Sequence, residues 1–451
     1  MPNAIAYLSL MAWPILILYF MNKFDVRLGL ILSIFISYLF LPSGFEINLP
    51  GIPAFNKGTV TTITIALILF FKNKGLGFNS LGSFSKLILF FFVISPFVTA
   101  LNNSGTYLHL PGISMYDGLS QSVGNMLVFF PFLFAARFFR THEDQVLLFK
   151  CFVVFAIIYT IPVLYEIRMS PQLHRMLYGY FPHSFVQQMR DGGFRAVVFL
   201  GHGLLVALFI SIALICLVSL SKAKVKLFSF SNAFVAILLF FVLVLSKSYT
   251  ALIFFIFAFF VLQLFKFRSV GLITFFLMLL FVFYPVLSAN KIFPHDQLVS
   301  IANDINPERA QSLRFRFFHE EQLLAHANIK PVFGWGSWGR NRVYNPETYE
   351  DLSVTDGRWI ITLGVRGWFG FFSEFYFIFV TIWLAFILSR KDKSLLKESR
   401  ALLSGHLLIV TLLLIDQLPN SSLNYFYWFI IGSLYGRVNN ILSLDKNKSN
   451  S

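Results

Sequence analysis

Apolar runs of about 14–22 residues recur from one end of the chain to the other, separated by short polar stretches. An apolar run of about 17–25 residues crosses the hydrocarbon layer of a bilayer as a helix. The strict alternation of a membrane β-strand is not seen, so the backbone N–H and C=O groups must be satisfied within helices. The pattern predicts spans over roughly 4–21, 28–42, 59–71, 87–101, 119–136, 147–165, 196–220, 232–245, 249–265, 269–288, 367–388, 401–418 and 423–436. The fold class is therefore an all-α polytopic membrane protein with about 13 (12–14) transmembrane helices. One long polar interval interrupts the series and divides the chain into a bundle of about ten spans (1–288), a large external loop with short helices (289–366), and a last group of spans with a tail (367–451). No fixed-period repeat is visible.

Composition agrees with this reading. Residues are 57% hydrophobic and 13% charged, against about 25% charged in soluble domains. The 58 phenylalanines read as lipid-facing and interior bulk. The net charge of +15 is dispersed over short loops and not gathered on one face, which excludes a nucleic-acid partner. Cys151 and Cys216 lie inside apolar runs and form no metal or redox motif. The first run lacks a basic leader and a small-residue cleavage site, so it is expected to be a retained span. There is no Walker A sequence, no HExxH, no GxSxG, and no DxD pair in an outer loop. These absences argue against an ATP-driven exporter and a metal-dependent transferase, and no cofactor is expected.

Charge also orients the chain. Basic residues follow every odd span, as at Lys23 and Arg27, Lys72 to Lys86, Arg137 and Arg140, Lys222 to Lys226, Lys266 and Arg268, and Arg390 to Arg400. That side is expected to be cytoplasmic, with the even-numbered exits outside. The loops 43–58 and 102–118 conform, with Lys57 as their only basic residue. The outer segments 166–195 and 289–366 do not. Counted over the chain, the inner side holds 14 Lys and 7 Arg, and the outer side 4 Lys and 11 Arg. Topology is indifferent to which basic residue is used, so an outer preference for arginine points to planar, bidentate recognition of phosphate or carboxylate. The plainer alternative pairs these arginines with neighbouring acids such as Asp191, Glu320 and Glu321.

Candidate chemistry concentrates on that outer side. Arg195 and His202 are seven residues apart, which places them on one face of a helical span, and Gly201 and Gly203 permit close approach beside the histidine. An outer-leaflet anion pocket and a snorkelling arginine with an interhelical histidine bond both fit. Lys247, in a Ser-Lys-Ser hairpin between two spans, is either an interfacial anchor or a phosphate contact. Ser312 is expected to cap a helix ending before Pro331, with Arg314, Arg316, His319 and Glu320 on its first turns. This helix serves either as a binding face or as a surface element stitched by Arg–Glu pairs. The turn Gly-Trp-Gly-Ser-Trp-Gly-Arg presents Trp335, Trp338 and Arg340, whose indoles suit sugar rings or a membrane interface. Asp356 precedes Arg358 and either caps the following helix or acts as general base at the membrane boundary. Arg358 and Arg366 would oppose any upward shift of its pKa. Glu374 and Asp416 lie within spans, where an ionised group must face the protein interior.

The second half of the chain resembles the O-antigen ligase and O-antigen polymerase (Wzy/WaaL-like) superfamily. The pattern that carries the resemblance is Arg316, Pro331, Gly334, Gly336, Asp356, then Gly364, Gly367 and Gly370. Arg195 with Gly201 and His202, and Ser246-Lys247-Ser248, resemble its earlier signatures. The resemblance implies a GT-C-like glycosyltransferase without metal. Such an enzyme moves glycan from an undecaprenyl-diphosphate-linked donor to an acceptor hydroxyl at the periplasmic face of the bacterial inner membrane. It implies a lipid-linked oligosaccharide as partner, with membrane lipids and, in the cell, chain-length regulator and flippase proteins. It implies Arg195 and Arg316 as catalytic residues holding the diphosphate, with Arg314, Lys247, His202, His319, Glu320, Trp335, Trp338 and Arg340 around the substrate. The family's base is commonly a histidine; here the position holds Asp356, with His319 and His326 as alternatives. A polymerase is the expected activity because ligation to lipid A is one specialised branch of a broad family. A lipid-linked oligosaccharide transporter, with related halves and midplane charges, is the reading from another class.

Overall fold

The structure is a computed structural model describing residues 1–48, 53–190, 192–227, 231–391 and 395–450. It is an all-α polytopic membrane protein. The first group of helices is α1 (Ala4–Lys23), α2 (Val26–Phe40), α3 (Lys57–Phe71), α4 (Ser83–Leu101), α5 (Met115–Phe138) and α6 (His142–Met169). A short α7 (Leu173–Tyr178) and a two-stranded ribbon, β1 (Met189–Arg190) with β2 (Gly193–Phe194), lead into α8 (Gly203–Lys222). Then follow α9 (Asn232–Leu245), α10 (Tyr249–Leu264) and α11 (Phe267–Ala289). The polar interval forms α12 (His295–Ile305) and α13 (Pro307–Ala327), and the chain ends with α14 (Arg358–Arg390), α15 (Lys397–Asp416) and α16 (Tyr425–Asn450). Among the described residues eight of these, α1, α4, α5, α6, α8, α11, α14 and α15, are long and apolar enough to cross a membrane, and α2, α3, α9 and α10 are shorter apolar helices.

Local chemistry sets many of the ends. Asn56 with Thr59, Ser114 with Asp117, and Thr141 with Asp144 form reciprocal caps at the starts of α3, α5 and α6, satisfying N–H groups a helix leaves open. Helix α8 is buried along nearly its whole length and packs against α6, α9, α10 and α15. Close approach in lipid needs small residues. Accordingly, Gly432 and Gly436 of α16 lie against the backbone at Phe132 and Ala136 of α5, where an added Cβ would come within 2.3 and 2.6 Å of carbonyl oxygens.

Three expectations are corrected. Residues 196–202 are not part of a span: Glu166, buried on α6, accepts the N–H groups of Val197 and Val198 at 2.8 and 2.7 Å, and the chain turns there, with Val198 at φ 49° and the Leu200 N–H donating to the Val197 carbonyl. Arg195 and His202 therefore do not share a helical face, and His202 is instead the N-cap of α8, its Nδ1 accepting from the Leu204 N–H. The loop helix begins at Pro307 and not at Ser312, whose hydroxyl bonds back to the Glu308 carbonyl. The eleventh span begins nine residues early, at Arg358. Asp191, expected to pair with a neighbouring arginine, lies outside the described residues.

Helix α14 is broken at Gly367, whose φ is 61° and ψ −165°. The loop after α13 fills the break. Trp335 and Gly336 donate backbone N–H bonds to the carbonyls of Gly364 and Val365, and Trp368 and Phe369 donate to Pro331 and Val332. Backbone groups freed by the break are thus re-bonded, as burial in a membrane protein requires. A Cβ on Gly367 would sit 2.4 Å from the Val332 carbonyl carbon. Gly367→Ala is expected to cost about 1–3 kcal/mol from the left-handed backbone alone, with the clash added. A melting curve of the detergent-solubilised protein checks this; wild-type stability would contradict it.

Candidate active site

Where the loop meets the bundle there is a cavity of about 170 Å³. Its walls come from the end of α11 (Tyr284), from Phe293 and Leu298, from one face of α13, from 354–360 at the start of α14, and from Leu418 and Pro419 after α15. It lies at the ends of α11 and α15 remote from Lys266, Arg268, Lys397 and Arg400, and at the end of α14 remote from Arg390. The basic residues and this cavity therefore lie at opposite ends of these helices.

The start of α14 is fixed by the turn after α15. The Arg358 and Trp359 N–H groups donate to the carbonyls of Asn420 and Gln417. Asp416 accepts from Ser422 and Asn420, and Gln417 accepts from the Ser422 and Leu423 N–H groups. Gly357 fits under this turn because a Cβ there would lie 2.2 Å from the Leu418 carbonyl oxygen. Asp356, one residue earlier, is thereby held at the rim and does not cap α14, whose N-cap is Gly357.

Arg316, His319 and Glu320 project from α13 into the cavity among largely apolar walls that include Phe293, Phe317, Leu323 and Ile360. The Arg316 Nε lies 3.3 Å from Asp356 Oδ2, with the two side chains 39% and 41% exposed. A half-exposed pair of this kind contributes about 0–1 kcal/mol, so an anion arriving at the guanidinium displaces little. His319 is buried, and its Nδ1 has no hydrogen-bond partner among the described residues. Buried polar atoms are normally satisfied, and an orphan lining a cavity is what a ligand would satisfy. Glu320 accepts a hydrogen bond from the Tyr284 hydroxyl at 2.5 Å. Burial pushes its carboxyl up to about 7, although the hydrogen bonds from Tyr284 and Ser288 pull the other way.

Residues 233–362 match the family model Wzy_C, described as O-Antigen ligase. This stretch of the chain is similar to the O-antigen ligase and polymerase superfamily. No curated protein matches it. The matched stretch runs from α9 to the first turn of α14 and contains Lys247 and every polar residue of the cavity, whereas Arg195 and His202 precede it. The family gives a ligase- or polymerase-type function in general.

Other expected site residues fall into three places. Arg195 is buried against Gly203 and donates from Nη2 to the Lys247 carbonyl at 2.9 Å, while the Lys247 Nζ lies over Gly193. Arg195 and Lys247 thus meet where the ribbon, the start of α8 and the α9–α10 turn come together, and the His202 ring packs edge-on against His183 at 4.8 Å. Arg314 is exposed on α13. The Gly-Trp-Gly-Ser-Trp-Gly-Arg turn is mostly scaffold. Trp335 is 7% exposed, stacks on His326 at 4.3 Å and donates to the His326 carbonyl. Arg340 is buried and donates to the carbonyls of Trp335, Gly105 and Pro111. His326 faces the Arg340 carbonyl through Nε2. Trp338, at 64% exposure and φ 62°, is the indole turned to solvent. Arg358 and Arg366 are both bonded to the buried Glu374. Sequence reasoning missed Tyr284, which lies in an apolar run 36 residues before its partner Glu320, and His295, whose Nε2 is 3.4 Å from the Tyr284 hydroxyl. No local pattern signals that meeting.

Arg340→Ala leaves two carbonyls of the 105–111 loop without their buried donor, which costs about 1–3 kcal/mol for each group stranded. The expected result is a lower melting temperature with little change in turnover by the protein that remains folded. Loss of activity at unchanged stability would place Arg340 on the substrate instead.

Proposed function

We propose that this protein is a polysaccharide polymerase of the O-antigen or exopolysaccharide type. It transfers glycan from an undecaprenyl-diphosphate-linked donor to the hydroxyl of an acceptor sugar, without metal, at the periplasmic face of the bacterial inner membrane. The observation that carries this reading is the cavity itself: a weakly paired arginine, a histidine with an orphan nitrogen and two carboxylates share an apolar pocket at the seam of loop and bundle. An amphiphilic substrate with an anionic head and a reacting sugar needs those groups together.

In the reaction the acceptor oxygen bonds to the anomeric carbon, the bond from that carbon to the carrier's phosphate oxygen breaks, and the diphosphate leaves with the electron pair. Arg316, assisted by Arg314 and by the basic group of Arg195 and Lys247, stabilises the charge on that leaving group. A carboxylate of the cavity, Asp356 or Glu320, receives the hydroxyl proton. Trp338 offers an exposed ring to the glycan, and His319 and His202 supply polar contacts. Trp335 and Arg340 support the turn that carries Trp338. Ligation of finished glycan to a lipid acceptor uses the same parts and differs in the acceptor.

The test is glycan chain length in a deletion strain complemented with Arg316→Ala, Arg195→Ala or Asp356→Asn. Short or absent polymer is expected from the arginine variants. Normal polymer from all three, at normal protein levels, would sink the proposal. A deletion strain whose glycan is still polymerised but no longer attached would assign the ligase activity.

A further inference from the structure

Two carboxylates line the cavity, and their surroundings differ. Asp356 is half-exposed and faces the Arg316 guanidinium. A base in that position would have to take a proton while staying paired with the cation that binds the leaving group. Glu320 sits deeper, on the α13 face turned toward α11 and α12. The Tyr284 hydroxyl donates to Glu320 Oε1, and the His295 Nε2 lies 3.4 Å from that hydroxyl. The phenol is fixed by edge contacts to Phe293 at 4.8 Å and Trp359 at 5.1 Å. The His295 ring in turn packs on Phe317 at 4.2 Å. Burial lowers the pKa of His295, so near neutral pH its ring is neutral. With the tyrosine proton committed to Glu320, the tautomer of His295 that carries its proton on Nε2 is the one that fits the 3.4 Å contact to the phenol oxygen. A carboxylate offers about four acceptor sites, so bonds from Tyr284 and Ser288 leave capacity for a substrate hydroxyl.

We infer that Glu320 is the proton acceptor for the attacking sugar hydroxyl, held in place by Tyr284 and His295 as positioning residues, while Asp356 positions Arg316. This rests on the transferase reading above. In the step, the acceptor O–H bond breaks and its proton passes to Glu320, the oxygen closes on the anomeric carbon, and the carrier diphosphate departs with its electron pair toward Arg316. Glu320 later releases the proton to water. A carboxyl tuned to about 7 suits this, because a base works best with a pKa near the operating pH. The charged and titratable groups around Glu320 are Arg316 and His319 on its own helix, Tyr284 on α11, His295 on α12, Asp356 across the cavity, and the Lys291–Glu321 pair at the surface.

The experiment uses the full-length protein in liposomes, with lipid-linked glycan extracted from a strain lacking this protein as donor and acceptor. The rate should rise with pH through a midpoint near 7, since the base acts only when deprotonated. Glu320→Gln should lower the rate by about 100-fold or more while a donor pull-down shows retained binding. Asp356→Asn should weaken donor binding and cost the maximal rate about tenfold or less. Tyr284→Phe removes a donor that favours the charged carboxylate, so the midpoint should move upward by about one unit; a purely structural tyrosine would leave it in place. If Arg316→Ala is inactive but Glu320→Gln keeps the wild-type rate and profile, this inference falls and the transferase reading stands. An Asp356→Asn loss equal to that of Glu320→Gln, with an unmoved profile in Tyr284→Phe, assigns the base to Asp356 and overturns it too. Full activity of both Arg316→Ala and Glu320→Gln removes the parent reading as well.

Discussion

Arg316→Ala is expected to reduce glycan transfer by about 100-fold or more while folded protein accumulates as wild type. Removing one pre-positioned donor from developing negative charge costs about 2.7–4 kcal/mol in related electrostatic sites, and a diphosphate leaving group carries more charge than one oxyanion. The fold loses little, because among the described residues the ion pair given up is the half-exposed one with Asp356. Arg316→Lys should fall between the two, since an ammonium keeps the charge but not the two-pronged geometry. Initial rates on extracted lipid-linked glycan, normalised to monodisperse protein, check both. Equal rates for arginine and alanine would remove Arg316 from the site.

Glu374→Ala should act in the opposite way, through stability. Glu374 is 1% exposed and takes hydrogen bonds from Arg358 at 2.7 and 3.0 Å, from Thr362 at 3.0 Å and from Arg366. These bonds tie the short first part of α14 to the long second part across the break at Gly367. Removing the carboxylate leaves two arginines facing each other without a counter-charge, and breaking a buried pair this way costs about 3–5 kcal/mol. That is a large share of the stability of most proteins, so the variant should fail to accumulate in membranes. Glu374→Gln should be intermediate. Fluorescence-detected size exclusion measures the outcome, and a wild-type profile for Glu374→Ala would contradict the clamp.

The spans were legible because an apolar run of the right length has few alternatives in lipid. Runs that are apolar for another reason were not. Residues 196–202 look like the start of a span, yet an acid on α6 takes their N–H groups. Pro307, at the first helical position, is a start signal the chain does display, and it outranked Ser312. The motif 331–370 was visible as a pattern, but its glycines and its proline serve the broken helix, so pattern and chemistry are not the same residues. Trp335 and Trp338 are alike in sequence and opposite in placement, because the Gly-rich turn sends one indole onto His326 and the other to solvent. Arg316, His319 and Glu320 were found together because helical spacing puts them on one turn. Their partners Tyr284 and Asp356 arrive from α11 and from the segment before α14, which no local spacing encodes.

The central claim is that the seam cavity performs glycan transfer from a carrier diphosphate. The most direct measurement is transfer by the purified full-length protein in sealed liposomes, with lipid-linked glycan extracted from the deletion strain, excess chelator and no nucleotide. Longer glycan together with released carrier diphosphate, both lost in Arg316→Ala, is the predicted result. Unlengthened glycan with the carrier intact, or the intact lipid-linked glycan moved from one leaflet to the other, would contradict it.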